Sequence, residues 1–345
     1  MSVRIAVDAM GGDNAPHEIV AGALMAAGGL ACDLVLVGQQ DAILHELEGT
    51  AEIPGLRVVH AGDVIRMDDS IEAVRGRPDA SINVGLRLVK QGEADAFVTS
   101  GNTGATMAAA LLGLGRVKGI ARPALATVFP TATGNVCIYL DVGANADCRP
   151  QYLVQFAHMG AGYIQRMFDV TEPRVGLLSI GEEDTKGSQL VIETNEHLRK
   201  GRLNFIGNIE GRDLMEGVCD VAVMDGFTGN VVLKTVEGMA ELMFNELRTV
   251  VERTPWNRAA GLILMSELRK VRRRLDYTEY GGAQLLGVDG VVVIGHGRSN
   301  ARAVFSAIKA ARDAVQTGIL DVVRKVAEEI PAKGARGEGA GEADL

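Results

Sequence analysis

The sequence predicts an α/β protein: a mainly parallel sheet in a three-layer α/β/α arrangement, with a helical hairpin projecting from it. Three observations carry this reading. Short Val/Ile/Leu runs alternate with amphipathic stretches along the 345 residues, the order produced by a parallel sheet with crossover helices. Several runs are continuously apolar, as in strands buried on both faces. Small and polar residues cluster directly after the runs, where ligands of open α/β sheets bind.

The first strand is expected at 3–7 and ends in Asp8-Ala9-Met10-Gly11-Gly12-Asp13; a helix follows at 17–27. Strands at 33–37 and 56–60 lead to a helix at 81–90 and a strand at 96–99. Ser100-Gly101-Asn102-Thr103-Gly104 then opens a helix at 103–114. Strands at 125–129 and 136–140 come next, the second running into Asp141-Val142-Gly143-Ala144-Asn145 and a helix at 151–167. A strand at 175–179 runs into the acidic loop that contains Glu183 and Lys186, and a helix follows at 188–199. Strands at 204–209 and 221–224 end in Glu210-Gly211-Arg212 and in Asp225-Gly226-Phe227-Thr228-Gly229-Asn230. Residues 228–276 break the alternation: two long helices, 230–252 and 257–275, meet around Thr254-Pro255-Trp256, and Pro255 suits the first turn of the second. The last strand, 291–294, ends in Gly295-His296-Gly297-Arg298-Ser299-Asn300 before a helix at 300–329. Seven such loops on one sheet edge would build a wide, polar, glycine-lined cleft.

There is no internal repeat and no flexible linker, so residues 1–330 are expected to form one compact two-lobed α/β unit. The Gly/Ala-rich polar tail, 331–345, is expected to be disordered.

Composition excludes several classes. Hydrophobic residues make up 47% and charged residues 23%, too apolar for a disordered chain. The 43 glycines follow no three-residue period, which excludes collagen. A net charge of −9 argues against general nucleic-acid binding, which needs a basic face. Local sites still allow a small anion. Cys32, Cys137, Cys148 and Cys219 form no C-x-x-C pair and lie far from finger-like His spacing, so buried reduced thiols are expected. The N-terminus lacks a basic start and a long apolar stretch, and no apolar run approaches ~20 residues. The expected location is cytoplasmic.

The best anion site is Ser100–Gly104: strand end, glycine turn, helix start, with exposed N–H groups and the helix dipole. The competing reading is plain capping by Ser100 or Asn102. Gly181–Ser188 (GEEDTKGS) resembles a P-loop but reverses the Lys–Gly order. Gly113–Gly119 (GLGRVKG) misses the dinucleotide fingerprint by one residue and follows a helix. No G-x-S-x-G elbow is present. Lys186 is either a functional cation or a surface ion-pair partner. His296 is either functional or a hydrogen-bonded structural residue. Asp8, Asp141 and Asp225 are metal ligands or caps, and spacing alone does not choose.

The hairpin has separate chemistry. From Arg253 to Arg274 seven cations, among them Arg269, Arg272 and Arg273, face one anion, Glu267, for a net +6. Trp256 and the run containing Leu262, Ile263 and Leu264 lie in the same span. Basic residues beside apolar ones with an interfacial Trp suit an anionic membrane surface; a dimer-forming helix pair with a solvated basic end is the other reading, and the two are compatible.

Taken together, the motifs DAMGGD (8–13), SGNTGA (100–105), LDVGAN (140–145), SIGEEDTKG (179–187), GNIEGRD (207–213), DGFTGN (225–230), YGGAQLLGV (280–288) and IGHG-x-S (294–299) resemble the bacterial PlsX family, the phosphate acyltransferases, from residue 1 to about 330. The resemblance implies a fold similar to isocitrate/isopropylmalate dehydrogenases and phosphotransacetylases. It implies acyl transfer from acyl-[acyl carrier protein] to inorganic phosphate, giving acyl phosphate for a membrane glycerol-3-phosphate acyltransferase and so for phospholipid synthesis. A homodimer, peripherally attached to the membrane through the hairpin tip, is implied as well. No cofactor and no metal are expected.

The chemistry suits these residues, because phosphate is already anionic and a thiolate leaves readily. Positioning and charge stabilisation are then the main demands. On this basis Ser100, Gly101, Asn102, Thr103 and Gly104 are assigned to phosphate, and Lys186, His296, Asn230 and Asp225 to catalysis. Lys186 would offset transition-state charge and His296 would serve the leaving sulfur. Asp8, Gly11, Gly12, Asp141, Asn145 and Glu183 would line the cleft, with glycine-rich loops supplying N–H donors. The rival readings are a phosphotransacetylase acting on acyl-CoA, a metal- and NAD-dependent dehydrogenase, and a membrane scaffold.

Overall fold

Eleven strands form one sheet in the order β3-β2-β1-β4-β11-β10-β5-β6-β9-β7-β8. A computed structural model describes residues 2–51, 53–275 and 281–330, without the side chains of 269, 270 and 272–275. The expectations for Arg269, Arg272 and Arg273 as contact residues, for Tyr280 and for the tail 331–345 lie outside the described residues.

In chain order the first part contains β1 (Val3–Asp8), α1 (His17–Gly29), β2 (Cys32–Gly38), α2 (Gln40–Glu46), β3 (Leu56–His60), α3 (Ala73–Gly76), α4 (Ser81–Lys90), β4 (Ala96–Thr99) and α5 (Thr103–Gly113). The second contains β5 (Ala124–Pro130), β6 (Val136–Leu140), α6 (Pro150–Phe168), β7 (Val175–Leu178), α7 (Gln189–Arg199), β8 (Phe205–Ile209), α8 (Asp213–Glu216) and β9 (Val221–Val223). The hairpin α9 (Gly226–Glu252) and α10 (Pro255–Leu275) follows, then β10 (Ala283–Leu286), β11 (Val291–Ile294), α11 (Ala301–Gln316) and α12 (Ile319–Glu329).

Strand periodicity explains the three layers. Ile5, Val7, Leu34 and Leu36 point to one face, where Ile19 and Ala23 of α1 and Val304 and Ala307 of α11 cover them. Ala6, Val35, Val37 and Phe97 point to the other, under Ile82 and Leu86 of α4 and Ala105 and Ala109 of α5. Both faces are dry, so these strands read as continuous apolar runs.

Three sequence expectations need correction. The segment 283–286, read only as part of a motif, is strand β10, antiparallel to both β11 and β5. The strands β5 and β6 pair antiparallel, and Thr131 N–H donates to Asn135 O at 2.9 Å across their turn. The sheet therefore reverses at its centre. The loops after β1, β4 and β11 leave one edge, and those after β6, β7, β8 and β9 leave the opposite edge, so the seven loops do not share one edge. Most neighbouring pairs remain parallel, so the sheet is mainly parallel as expected. Finally, the expected helix 300–329 is two helices, broken where Gly318 takes φ +71°, a conformation that glycine adopts without steric penalty.

The first turns of α9 pack on this core through Val232, Leu233 and Val236, and the far end of the hairpin stands clear of it. Gly261 lets α10 approach α9, since a Cβ there would lie 2.4 Å from a Val251 methyl. Trp256 (85%), Leu262 (74%), Ile263 (80%) and Leu264 (54%) remain exposed. No helix among the described residues is long and apolar enough to cross a membrane.

Candidate active site

A cavity of about 690 Å³ opens at the sheet centre, where the strand direction reverses. Leu125 and Thr127 of β5, Ala283 of β10 and Ile294 of β11 lie beneath it, and α5 and α9 face each other across it. The wall from α5 carries Thr103, Gly104, Met107, Ala108 and Leu111. The wall from α9 carries Asn230, Leu233, Lys234 and Glu237, spaced as one helix face. The β11 loop contributes Gly295, His296, Gly297 and Arg298.

The polar end is built by hydrogen bonding below it. Asp8, at the end of β1, is buried and accepts Thr99 Oγ1–H at 2.7 Å and Met10 N–H at 3.1 Å. Burial pushes its carboxyl up, and hydrogen bonds from Ser81, Thr99 and Met10 pull it back. Gly11 is required here, because a Cβ would lie 2.6 Å from Asp8 Oδ2 and 2.7 Å from Thr99 Oγ1. Asp13 N–H donates to Gly297 O at 2.8 Å, and Gly295 N–H to Thr99 O at 2.7 Å. These bonds join the loops after β1, β4 and β11.

At the start of α5, Asn102 caps the helix: its Oδ1 accepts Ala105 N–H at 2.9 Å. Its Nδ2 donates to Met67 O at 2.9 Å and Asp69 O at 3.2 Å. The Asn102 side chain is thus a bracket: both of its N–H donors are used, and neither is free for an anion. Ser100 is buried beneath, outside the cavity lining. Thr103 and Gly104 face the cavity, and their N–H groups find no acceptor among the described residues. Unclaimed N–H groups at a helix N-terminus form a ready anion site.

His296 also lines the cavity. Its Nδ1 accepts Arg298 N–H at 3.2 Å, so the proton of the neutral ring resides on Nε2.

The 141–145 loop is organised inward. Asp141 is fully buried and accepts five bonds: Leu125 N–H (2.9 Å), Gly143 N–H (3.1 Å) and Ala144 N–H (2.9 Å) at Oδ1, and Asn145 N–H (2.7 Å) and Nδ2–H (2.8 Å) at Oδ2. Burial raises its pKa, and these bonds oppose the rise. Asp141 and Asn145, expected to line the cleft, lie behind it: Val142, Gly143 and Ala144 line the cavity instead, and their N–H groups are committed to Leu125 O and Asp141 Oδ1. Asn145 also donates to Pro123 O at 2.7 Å and accepts Gly226 N–H at 2.8 Å. Asp225 caps α9, taking Thr228 N–H at 2.9 Å and Oγ1–H at 2.7 Å. Gly229 sits where a Cβ would lie 1.8 Å from Asp141 O, so α9 presses directly on this loop.

Lys186 and Glu183 do not line the cavity. Both are exposed on the loop after β7, tied by Lys186 N–H to Glu183 O at 3.0 Å. The sequence reading missed Met67, Ile71, Lys234, Glu237 and Arg298. For Lys234 and Glu237 a signal existed: with Asn230 and Leu233 they recur at helical spacing. Lys234 Nζ pairs with Glu237 Oε2 at 2.8 Å. Among the described residues no group of three or more His, Cys, Asp or Glu side chains is placed to hold a metal.

Similarity to known proteins places the chain in a family. A family model described as Fatty acid synthesis protein matches residues 3–322. A phosphate acyltransferase from Desulfitobacterium hafniense (strain Y51) is 48% identical over 326 residues, covering 94% of this chain and 97% of its own. One from Pelotomaculum thermopropionicum is 48% identical over 338 residues, covering 97% and 98%. A solved phosphotransacetylase from Streptococcus pyogenes superposes with a TM-score of 0.58 at 17% identity, over 91% of this chain and 94% of its own. A branched-chain phosphotransacylase from Enterococcus faecalis V583 gives 0.56 at 14% identity, over 91% and 99%. These two likenesses concern the fold alone. The identity and coverage of the first two relatives, with the family match, mean that the chain belongs to the PlsX family of fatty acid synthesis proteins, whose curated members here are phosphate acyltransferases.

Proposed function

We propose that the protein moves a fatty acyl group from the thioester of an acyl-[acyl carrier protein] to inorganic phosphate. A phosphate oxygen bonds to the acyl carbon, the C–S bond breaks, and acyl phosphate and the carrier thiolate leave; the thiolate then takes a proton. The observation that carries this reading is one cavity holding three things: the unclaimed N–H groups of Thr103 and Gly104, the His296 ring, and an apolar wall of Met107, Ala108, Leu111 and Leu233. The first suits phosphate and the last suits an acyl chain. His296 Nε2–H is the donor for the departing sulfur, and the Asn230 amide faces the same space.

The remaining residues of the site act through these. Asp225 and Asn145 set α9 and hence Asn230, Asp141 holds their loop, and Asp8 holds the first. Lys186, outside the cavity, contributes charge at a distance. Residues 1–330 act as one catalytic unit. Supporting a peripheral membrane role, the exposed Trp256, Leu262 and Ile263 occupy a strongly basic span; a homodimer would be built along the same hairpin, and the acyl phosphate would pass to a membrane glycerol-3-phosphate acyltransferase.

The test is incubation with palmitoyl-acyl carrier protein, with and without phosphate, following thiol release and trapping acyl phosphate with hydroxylamine. Phosphate-dependent release with hydroxamate is expected. Release without phosphate would indicate a thioesterase. Turnover of palmitoyl-CoA alone would indicate a phosphotransacetylase.

A further inference from the structure

Acyl transfer to phosphate faces a competitor at far higher concentration. Water attacking the same thioester gives a free fatty acid and the thiol, and no acyl phosphate. A site that favours phosphate must keep bulk water from the thioester carbon while the anion is held. Neither the α5 terminus nor His296 does this, since both are donors that water can also satisfy.

The residues between β3 and α4 supply the missing part. Met67 and Ile71 are large apolar side chains, 44% and 55% exposed, and both line the cavity. Ile71 Cδ1 lies 3.6 Å from where a Cβ on Gly104 would sit, beside the unclaimed N–H groups. Met67 Cε lies 2.9 Å from the corresponding point on Gly297, next to His296. The two side chains thus reach from the anion-binding terminus to the histidine loop. Apolar residues of this size gain little by standing half in water; placed beside the reacting groups they displace water from them.

The segment is fastened from below. Asn102 Nδ2 holds Met67 O and Asp69 O. Arg77 Nη1 donates to Val64 O at 2.8 Å and to Asp69 Oδ2 at 2.6 Å, and Arg66 N–H donates to Asp69 Oδ2 at 2.8 Å. The residue that caps the phosphate-binding helix is therefore the same residue that ties down the cover.

We propose that Met67 and Ile71 are specificity-determining residues that cover the thioester and select phosphate over water as the nucleophile. This rests on the transacylase reading above. The experiment compares the native protein with Met67→Ala, Ile71→Ala and Asp69→Asn, using palmitoyl-acyl carrier protein at saturating phosphate. Total thiol release is measured beside hydroxamate, and thiol release is repeated without phosphate. Ile71→Ala and Met67→Ala change exposed side chains, so far-UV circular dichroism and melting should be unaltered. The expected result is a rise of about tenfold in phosphate-independent thiol release, with hydroxamate per thiol falling accordingly. Asp69→Asn, which loosens the fastening, should shift the ratio in the same direction by less. An unaltered hydroxamate-to-thiol ratio in both alanine variants, with native turnover intact, would overturn the cover and leave the transacylase reading standing. Absence of phosphate-dependent release by the native protein would overturn both.

Discussion

The loop 141–145 after β6 and the loop 179–188 after β7 leave the same edge of the sheet, yet they are held in opposite ways. The first folds around one buried carboxylate, Asp141, which gathers five N–H donors and receives the packing of α9. The second turns its charges outward: Asp184 pairs with Arg199, and Lys186 carries an ammonium with no partner among the described residues. The difference is position. Strand β6 borders the central reversal, where its end meets the start of β5, whereas β7 lies two strands further out. A loop with a buried acceptor can form a wall; a loop of exposed pairs can only adjust the field around it.

The largest effect should come from breaking the first loop. Asp141→Ala leaves five donors without their acceptor, and a loss of about 3–5 kcal/mol of stability is expected. Thermal or urea unfolding measures it; a loss below about 1 kcal/mol would mean that the loop is held by something else. Next, His296→Ala should keep the fold and lower kcat by about 100-fold, the scale of a lost acid or donor. Circular dichroism with steady-state kinetics separates this from unfolding.

A third test concerns the opposite face of the sheet. Burial pushes His158 on α6 down to about 4, with Glu329 opposing. The unfolded chain takes up this proton below about 6.5, and the folded chain only near 4. Stability present above pH 6.5 should therefore be lost as pH falls toward 4, on the order of 1–3 kcal/mol. The melting curve of His158→Gln should lack that part of the slope, while its kcat at pH 7.5 stays native. The smallest effect belongs to the second loop. Lys186→Ala should lower kcat/KM several-fold at low salt, with the difference fading near 0.5 M salt, as screening of a distant charge requires. A salt-insensitive loss of about 100-fold would instead bring Lys186 into contact with the reacting groups.

Much of this organisation was legible in the chain. Ten strands and the hairpin follow from apolar runs and helical spacing, and the anion site at 100–104 follows from strand, glycine and helix start. Strand direction was not legible. The short segment 283–286 carries Gln284, buried at 4% exposure, and gives no strand signal of its own, because only its neighbours β11 and β5 make it a strand. Without it nothing joins β11 to β5, so the reversal made by the β5–β6 pair is not referred to β1, β4 and β11, and all the polar loops seem to share one edge. The same limit applies within the site. Asn102 and Thr103 are equivalent candidates by residue type, and only the Met67 and Asp69 carbonyls, some 35 positions earlier, show that Asn102 is occupied. Met67 and Ile71 carried no signal, because two apolar residues in a polar stretch have no period.

If the N–H groups at the start of α5 hold the phosphate, Thr103 shows it at a single atom. Proline is well tolerated at the first position of a helix, and Asn102 already has the extended ψ of 117° that a following proline prefers. Thr103→Pro removes the N–H together with the hydroxyl; Thr103→Val removes the hydroxyl alone. Measured with palmitoyl-acyl carrier protein as donor, the KM for phosphate should rise about tenfold or more in Thr103→Pro and change little in Thr103→Val, with the donor KM unmoved in both. Equal phosphate KM values in the two variants would mean that the Thr103 N–H does not hold the phosphate.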